Sequence, residues 1–241
     1  MPKFFVTSDI HSFYTELIHS LKEAGFDKNN EDHWLIVCGD CFDRGPDACK
    51  TLKYLQSLPR KILIKGNHEQ LLVDLCNRGY AMSHDMHNGT SLTVFDLGKT
   101  EDSFREKCQS TLTKVKPFLQ SMVNYFETKN HIFVHSWIPT TVDKSYFRKF
   151  KTDWRNASQR EWDAAMWDNP YYMIDDGLMP DKTIVFGHCS CSEAWAKAEG
   201  RTKYGKDARF EPYYGDGFIA IDALTYHSGL KNVIVIEDEF I

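Results

Sequence analysis

The 241-residue sequence lacks long apolar runs, internal repeats and low-complexity segments. No stretch approaches the ~20 apolar residues of a membrane-spanning helix, and the apolar run near the N-terminus is too short for a signal peptide. With 42% hydrophobic residues, 26% charged residues and only 8 prolines, the composition excludes a disordered, collagen-like or coiled-coil chain. We therefore expect a cytoplasmic protein with no membrane partner, folded as a single domain over residues 1–241.

The sequence also lacks a strong charge of one sign and an even set of cysteines. It has 29 basic and 34 acidic residues, and no block of five like charges, so we expect no stable nucleic-acid partner. Seven cysteines favour reduced, buried thiols over a disulfide framework. The pairs Cys38/Cys41 and Cys189/Cys191 lack a second pair at zinc-finger spacing, which argues against structural zinc.

Short apolar runs alternate with longer helical patterns, which predicts an α/β fold with its sheet covered on both faces. Apolar residues at three-to-four spacing predict helices at Tyr14–Ala24 and Asp47–Leu58. Runs rich in Val, Ile and Phe predict strands at Lys3–Thr7, His33–Val37, Lys61–Ile64, His131–His135, Thr183–Gly187, Phe218–Ile221 and Asn232–Ile236.

Two longer intervals separate these strands. Residues 70–130 carry helix-like patterns at Gln70–Arg78, Ser103–Gln109 and Val115–Glu127, which predict an inserted helical lobe over the site rather than a loop. The stretch Pro139–Asp181 is rich in Trp and Tyr with weaker periodicity, and we expect irregular structure there. Its tryptophans suit core packing better than a stacking platform for a base.

Polar residues follow five successive predicted strands. In the order of the five strands, these polar residues are Asp9 and His11, Asp40 and Asp43, Asn67 and His68, His135, and His188. Because ligands bind at the carboxyl ends of strands in open α/β sheets, we expect these side chains to converge on one site.

The chemistry of these residues indicates a site for two divalent metal ions, since carboxylate, amide and imidazole donors suit Mn, Fe or Zn. One ion would take Asp9, His11 and a shared Asp40. The other would take Asp40, Asn67, His135 and His188. A hydroxide that bridges two such ions could attack phosphorus in line.

Three neighbouring residues suit the rest of a phosphoryl-transfer site. His68 is the expected general acid, and Asp43 would keep it protonated as an ion-pair partner. Arg44 can hold two phosphoryl oxygens with its planar guanidinium. Gly39, Gly45, Gly66 and Gly187 flank the expected ligands, where φ is positive or the backbone must come close to the site.

Five ordered motifs resemble those of the metallophosphoesterases, and more narrowly the bacterial and phage members of the phosphoprotein phosphatase branch. They are Ser8–His11, Gly39–Gly45, Gly66–Glu69, Val134–His135 and Gly187–His188. The resemblance implies a four-layer α/β/β/α sandwich and a dinuclear metal centre. The metal is usually manganese, and iron, zinc and nickel are the alternatives. It also implies hydrolysis of phosphomonoesters in a phosphorylated protein or a small phosphoester.

The substrate class is less sharply indicated. Protein phosphatases of this kind place a second phosphate-binding arginine before the last histidine, but here no arginine lies between Arg160 and Arg201. Arg148, Arg155 or Arg160 would have to reach the site, or one guanidinium holds the phosphate alone. The main hypothesis is a serine/threonine protein phosphatase, and the alternative is a symmetrical dinucleoside polyphosphate hydrolase or another phosphoesterase on the same scaffold. A third hypothesis is a metal-binding regulatory or nucleic-acid module without catalysis, against which the intact Asp43, Arg44 and His68 argue.

Overall fold

The computed structural model describes residues 1–142 and 148–241. In this part of the chain the strands are β1 (Lys3–Thr7), β2 (His33–Cys38), β3 (Lys61–Ile64), β4 (Phe126–Glu127), β5 (His131–Phe133), β6 (Thr140–Val142), β7 (Arg148–Phe150), β8 (Thr183–Phe186), β9 (Tyr213–Gly215), β10 (Phe218–Ala220) and β11 (Ile234–Glu237).

The helices are α1 (Tyr14–Glu23), α2 (Ala48–Ser57), α3 (Asn67–Arg78), α4 (Ser83–His87), α5 (Thr90–Leu97), α6 (Phe104–Gln120), α7 (Gln159–Ala165), α8 (Pro170–Asp175), α9 (Cys191–Glu199) and α10 (Thr225–Ser228), with a 3₁₀ turn at Trp154–Asn156.

Two mixed sheets form the centre of the fold. The first has the order β11-β1-β2-β3, in which β1, β2 and β3 are parallel and β11 is antiparallel. The second has the order β4-β5-β8-β10-β9, in which β5, β8 and β10 are parallel. Strands β6 and β7 pair as a separate antiparallel ribbon.

In the central strands, alternating side chains face two different cores, as the pleat of a strand requires. In β1, Phe4 and Val6 pack between the two sheets, against residues such as Phe133 and Val185 of the second sheet. Phe5 instead faces the helices that cover the first sheet. A third cluster lies between the second sheet and α7 to α9. These three cores define a four-layer α/β/β/α sandwich, which confirms the predicted fold class.

The predicted strands are all present, with ends that differ by one or two residues. The lobe consists of α3 to α6, and its last helix contradicts part of the prediction, because Val115–Glu127 is helical only to Gln120. Beyond that point the chain runs along β3, where the Val123 N–H donates to Leu63 O at 2.9 Å. Pairing with a sheet edge therefore overrides the local helical pattern.

The Trp-rich stretch is more regular than predicted, with β6, β7, α7 and α8 in its described part. Residues 143–147 of that stretch lie outside the described residues. Trp154 and Trp162 are buried, and Tyr125 stacks on Trp162 with ring centroids 5.1 Å apart. The rings of Trp154 and Trp162 are core packing, as the sequence favoured, whereas Trp167 is 50% exposed and contradicts that expectation. Within residues 1–142 and 148–241 no helix combines the length and the apolar character needed to cross a bilayer.

Candidate active site

The residues predicted for the site lie together where the carboxyl ends of strands from both sheets meet. The two sheets are joined here by contacts between their strand ends. His135 donates through Nδ1 to Cys38 O at 2.9 Å, and the His188 N–H donates to Asp9 Oδ2 at 2.9 Å. The structure thus brings all nine predicted residues together: Asp9, His11, Asp40, Asp43, Arg44, Asn67, His68, His135 and His188.

Asp40 lies at the centre of this cluster and is almost fully buried. Its Oδ2 is 3.7 Å from His11 Nε2, and its Oδ1 is 3.5 Å from His135 Nε2. The donor atoms of Asp40, His11 and His68 all lie within 4.8 Å of one another, and so do those of Asp40, His135 and His188. Asp40 therefore belongs to two adjoining groups that could each hold a metal ion.

Asn67 completes the second of these groups. Its Oδ1 is 2.8 Å from His135 Nε2 and 3.1 Å from His188 Nδ1, while the two ring nitrogens are 3.1 Å apart. An amide oxygen and two imidazole nitrogens that point at one another are a donor set that first-row divalent metals accept.

Backbone contacts set the orientation of two imidazoles. His11 Nδ1 is 2.8 Å from Phe42 O, and His135 Nδ1 is 2.9 Å from Cys38 O. A carbonyl oxygen only accepts, so each Nδ1 carries the hydrogen and each Nε2 faces the cluster. Hydrogen bonds of this kind on the remote nitrogen orient metal-binding histidines in proteins.

Asp9 contacts both groups from the side of β1. Its Oδ1 is 3.8 Å from His11 Nε2, and its Oδ2 accepts from the His188 backbone. Burial, followed by the charge of Asp222, raises the pKa of Asp9 to about 7. Burial thus makes the ionised form of Asp9 unfavourable. A positive charge nearby would stabilise that ionised form, and a divalent ion would supply such a charge.

Glycines make room for the site, as predicted, because the backbone comes close to neighbouring atoms at all four of them. A Cβ at Gly66 would lie 2.2 Å from Asp40 Oδ1, and one at Gly187 would lie 2.1 Å from Asp9 Oδ2. Of the four glycines expected to flank the ligands, Gly39 alone has a positive φ, at 81°. The carboxylates of Asp40 and Asp9 therefore reach the donor groups only because the residues that face them are glycines, which have no side chain.

Positive φ falls instead on the site residues themselves. Asp9, His11, Asp40, Asp43, Arg44 and His188 have φ between 48° and 75°. Non-glycine residues in this region cost about 1–3 kcal/mol each and persist where the surrounding structure fixes them. The strand ends are therefore strained so that their side chains point inward.

His68 lies on one side of the cluster and is held by Asp43. Its Nδ1 donates to Asp43 Oδ2 at 2.7 Å, with both side chains buried. Burial alone would lower the pKa of His68, but Asp40 and Asp43 raise it to about 9. The Nε2 atom lies 3.4 Å from Arg44 Nη2. A protonated imidazole beside a guanidinium is suited to donate a proton to an anion that both groups bind.

The helical lobe supplies two further positioning residues that the sequence analysis missed. Thr90 Oγ1 donates to Asp43 Oδ2 at 2.8 Å, and Thr93 Oγ1 donates to Asp43 Oδ1 at 2.8 Å. Thr93 Oγ1 also accepts from the Asp43 N–H at 2.9 Å. No motif marks these threonines, and their i, i+3 spacing on one helix face is the only local signal.

Glu69 and Lys231 are two more residues of this kind. The carboxylate of Glu69 caps the start of α3 and also supports the segment that follows β2. It accepts from the N–H groups of Gly66, Asp40 and Cys41 at 2.8–3.0 Å. Buried Lys231 donates to Ser8 O at 2.9 Å and to the backbone oxygen of Asp9 at 2.5 Å. Both residues fix the backbone that carries Asp9 and Asp40.

Two of the upstream arginines differ in the groups that they bind. Arg155 binds Glu127 through two hydrogen bonds of 2.6 and 2.7 Å, which engages its guanidinium away from the strand ends. Arg148 binds Asp168 at 3.1 Å, and the carbonyl of Asp168 accepts a hydrogen bond from Ser136, next to His135. Arg148 is therefore the better candidate for a second anion-binding arginine.

Comparisons with known proteins agree with this geometry. Residues 2–203 match the family described as calcineurin-like phosphoesterase. A symmetrical bis(5'-nucleosyl)-tetraphosphatase of Buchnera aphidicola (subspecies Baizongia pistaciae) is 36% identical over 76 residues, which cover 31% of this chain and 26% of the relative. The chain thus matches about a quarter of the length of that relative.

Solved structures share the fold at low identity. A candidate diadenosine tetraphosphatase has a TM-score of 0.51 at 17% identity, covering 100% of this chain and 96% of that one. The cold-active protein-tyrosine phosphatase of a psychrophilic Shewanella has a TM-score of 0.55 at 17% identity, covering 98% and 76%. Since the family match extends over most of the sequence and the strand-end motifs form one site, the chain belongs to the calcineurin-like phosphoesterase family.

Proposed function

We propose that the protein is a metal-dependent hydrolase that cleaves dinucleoside tetraphosphates symmetrically into two nucleoside diphosphates. The observation that carries the reaction type is the buried Asp40, shared by two donor groups, beside His68 and Arg44. The substrate class is supported by the similarity to symmetrical bis(5'-nucleosyl)-tetraphosphatases, which favours the alternative of the sequence analysis over a protein phosphatase.

The proposed ligands depart from the first donor group in one residue. Asp9, whose Oδ1 lies 3.8 Å from His11 Nε2, takes the place of His68, which is assigned to proton donation. Asp9, His11 and Asp40 would hold one divalent ion. Asp40, Asn67, His135 and His188 would hold the other. When bound, two such ions lower the pKa of water and polarise phosphoryl oxygens. The oxygen and nitrogen donors suit manganese, with iron, zinc or nickel as alternatives.

The chain's own residues would then bind and protonate the substrate. Arg44 holds oxygens of the reacting phosphoryl group with its planar fork. A water that has lost one proton to solvent forms a bond from its oxygen to phosphorus, while the bond from phosphorus to the bridging oxygen breaks. His68 donates its Nε2 proton to that leaving oxygen, and Asp43 keeps the imidazole oriented through Nδ1. A nucleoside diphosphate leaves on the His68 side.

A serine/threonine protein phosphatase is the second candidate, and Arg148 is the observation that favours it. Protein phosphatases of the branch that the motifs resemble bind the phosphate with two arginines. Arg148 is connected to Ser136 through Asp168, which accepts a hydrogen bond from each of them. In the dinucleotide reaction the same guanidinium would instead bind the distal phosphates.

A substrate panel tests the proposal. The purified protein with added Mn²⁺ is assayed on diadenosine tetraphosphate, a phosphoserine peptide, p-nitrophenyl phosphate and a cyclic nucleotide, with Asp40→Asn as the inactive control. We expect the highest kcat/KM on diadenosine tetraphosphate, with ADP as the sole nucleotide product. A higher kcat/KM on the phosphopeptide would support the second candidate, and ATP plus AMP as products would contradict symmetrical cleavage.

A further inference from the structure

A groove opens beside Arg44, between the helical lobe and α10. Its volume is about 420 Å³, and it is lined by Arg44, Met86, Asn88, Leu92 and Tyr226, among others. Sites for small molecules in proteins have volumes of ~300–1,000 Å³, are largely apolar and carry a few placed polar groups. The groove meets this description and extends directly from an arginine of the proposed site.

Three large apolar side chains in the groove are exposed. Tyr226 is 72% exposed, Met86 69% and Leu92 51%. Within residues 1–142 and 148–241, no aromatic ring packs on the ring of Tyr226. Exposed apolar side chains that gather in one concave surface mark a ligand-binding or interaction site. An aromatic ring at its edge is suited to stack on another flat ring.

The walls of the groove are fixed to the site. Gly89, with φ of 75°, packs so closely on Arg44 that a Cβ there would lie 2.4 Å from the Arg44 nitrogen. On the opposite wall, the Leu224 N–H donates to Asp222 Oδ1 at 2.7 Å, and Ser228 Oγ donates to Ala223 O at 2.7 Å. These contacts hold the short helix that carries Tyr226, so the groove is formed before a ligand binds.

The groove lies on the leaving-group side of the reaction. Arg44 reaches from its lining to within 3.4 Å of His68 Nε2, the atom that would protonate the leaving oxygen. An in-line displacement sends the leaving group toward the proton donor and away from the attacking water. The group that departs therefore leaves toward Arg44 and the groove.

We infer that the groove binds the nucleoside of the leaving nucleoside diphosphate, with its base stacked on Tyr226. This inference rests on the proposed function and extends it by assigning a place to one of the two nucleosides. Base stacking on an aromatic side chain tolerates any base, while the amide of Asn88 can donate to or accept from the base edge.

Binding and turnover of Tyr226→Ala test the inference. Dissociation constants of ADP and pyrophosphate are measured by calorimetry with Mn²⁺, and kcat/KM is measured on diadenosine tetraphosphate. We expect ADP affinity and kcat/KM to fall about 10-fold, as loss of one stacking contact predicts, while pyrophosphate affinity stays unchanged. Tyr226→Phe keeps the ring and should behave as wild type. The matched control is Tyr80→Ala, which removes a tyrosine that is 59% exposed and does not line the groove.

The outcomes separate the two proposals. If wild type hydrolyses diadenosine tetraphosphate and Tyr226→Ala binds ADP equally well, the groove assignment is wrong and the proposed function stands. If wild type does not hydrolyse any dinucleoside polyphosphate, the proposed function itself fails. A Tyr226→Ala protein that loses activity only on a phosphopeptide would make the groove a peptide site and overturn the inference. Equal losses for ADP and pyrophosphate would assign Tyr226 a general role in the fold and also overturn it.

Discussion

Replacing Thr90 by valine should slow catalysis although Thr90 touches no substrate. The Thr90 hydroxyl donates to Asp43 Oδ2, the same oxygen that accepts from His68 Nδ1. Valine has nearly the shape of threonine and lacks the hydrogen bond. The carboxylate would lose one of its fixed donors and would hold the imidazole of His68 less firmly.

The expected fall in kcat follows from the free energy of the lost hydrogen bond. A buried hydrogen bond to a charged group contributes about 1.5–3 kcal/mol. If about half of the larger value is lost at the transition state, kcat falls about 10-fold, since ~1.4 kcal/mol corresponds to that factor. Thr93→Val should lose similar activity and in addition about 1–3 kcal/mol of unfolding free energy, because it also leaves the Asp43 N–H without its acceptor.

Steady-state kinetics measure the loss of kcat, and urea unfolding measures the loss of unfolding free energy. A double-mutant cycle with Asp43→Asn shows whether the loss of kcat acts through Asp43. Thr90→Val should cost little further activity once Asp43 is changed. Thr111→Val is the matched control, because the buried Thr111 hydroxyl has no hydrogen-bond partner among residues 1–142 and 148–241. An equal loss of kcat in wild-type and Asp43→Asn backgrounds, or in Thr111→Val, would refute the positioning role.

Three other changes test separate parts of the structure. His68→Asn should lower kcat by about 10²–10⁴ with unchanged metal content by atomic emission, and undiminished turnover would contradict its role as proton donor. Asp40→Asn should reduce occupancy of both metal positions, and a variant that still binds two ions tightly would show that Asp40 is not shared. Burial favours the neutral acid of Asp238, but hydrogen bonds from His131 and Thr128 hold the pKa of this carboxyl below its usual value. Since this folded-state pKa is lowered, the stabilisation is full above the unfolded pKa of ~3.9 and is lost as the pH falls below it. Asp238→Asn should therefore cost about 2 kcal/mol in urea unfolding at pH 7 and progressively less below pH ~4, and a pH-independent difference would refute the charge argument.

Local sequence patterns were sufficient for the strands and for the set of site residues. Strand propensity, the turn after each strand and the polar residue that follows are all encoded within about ten positions. For this reason Asp9, Asp40, Asn67, His135 and His188 could be placed at one sheet edge, where the structure has them.

Local patterns failed where a distant partner decides the conformation. The segment after Gln120 has helical periodicity but pairs with β3, because an unpaired sheet edge offers hydrogen bonds that a helix end does not. The glycines were predicted correctly as points of close backbone approach, but the sequence did not show where the backbone strain would lie. Most of the glycines near the ligands are needed for space, and the strained φ values fall on Asp40 and other functional residues.

The sequence by itself determined which polar side chains gather at the candidate site, since their order and spacing place them at consecutive strand ends. Only the tertiary structure decided what supports them and what adjoins them. Thr90 and Thr93 lie 47 and 50 residues beyond Asp43 along the chain, and Tyr226 lies still farther from Arg44. The folding of the lobe and of α10 onto the strand ends brings them together, because burial of apolar surface across the whole domain sets that arrangement and no short-range pattern does.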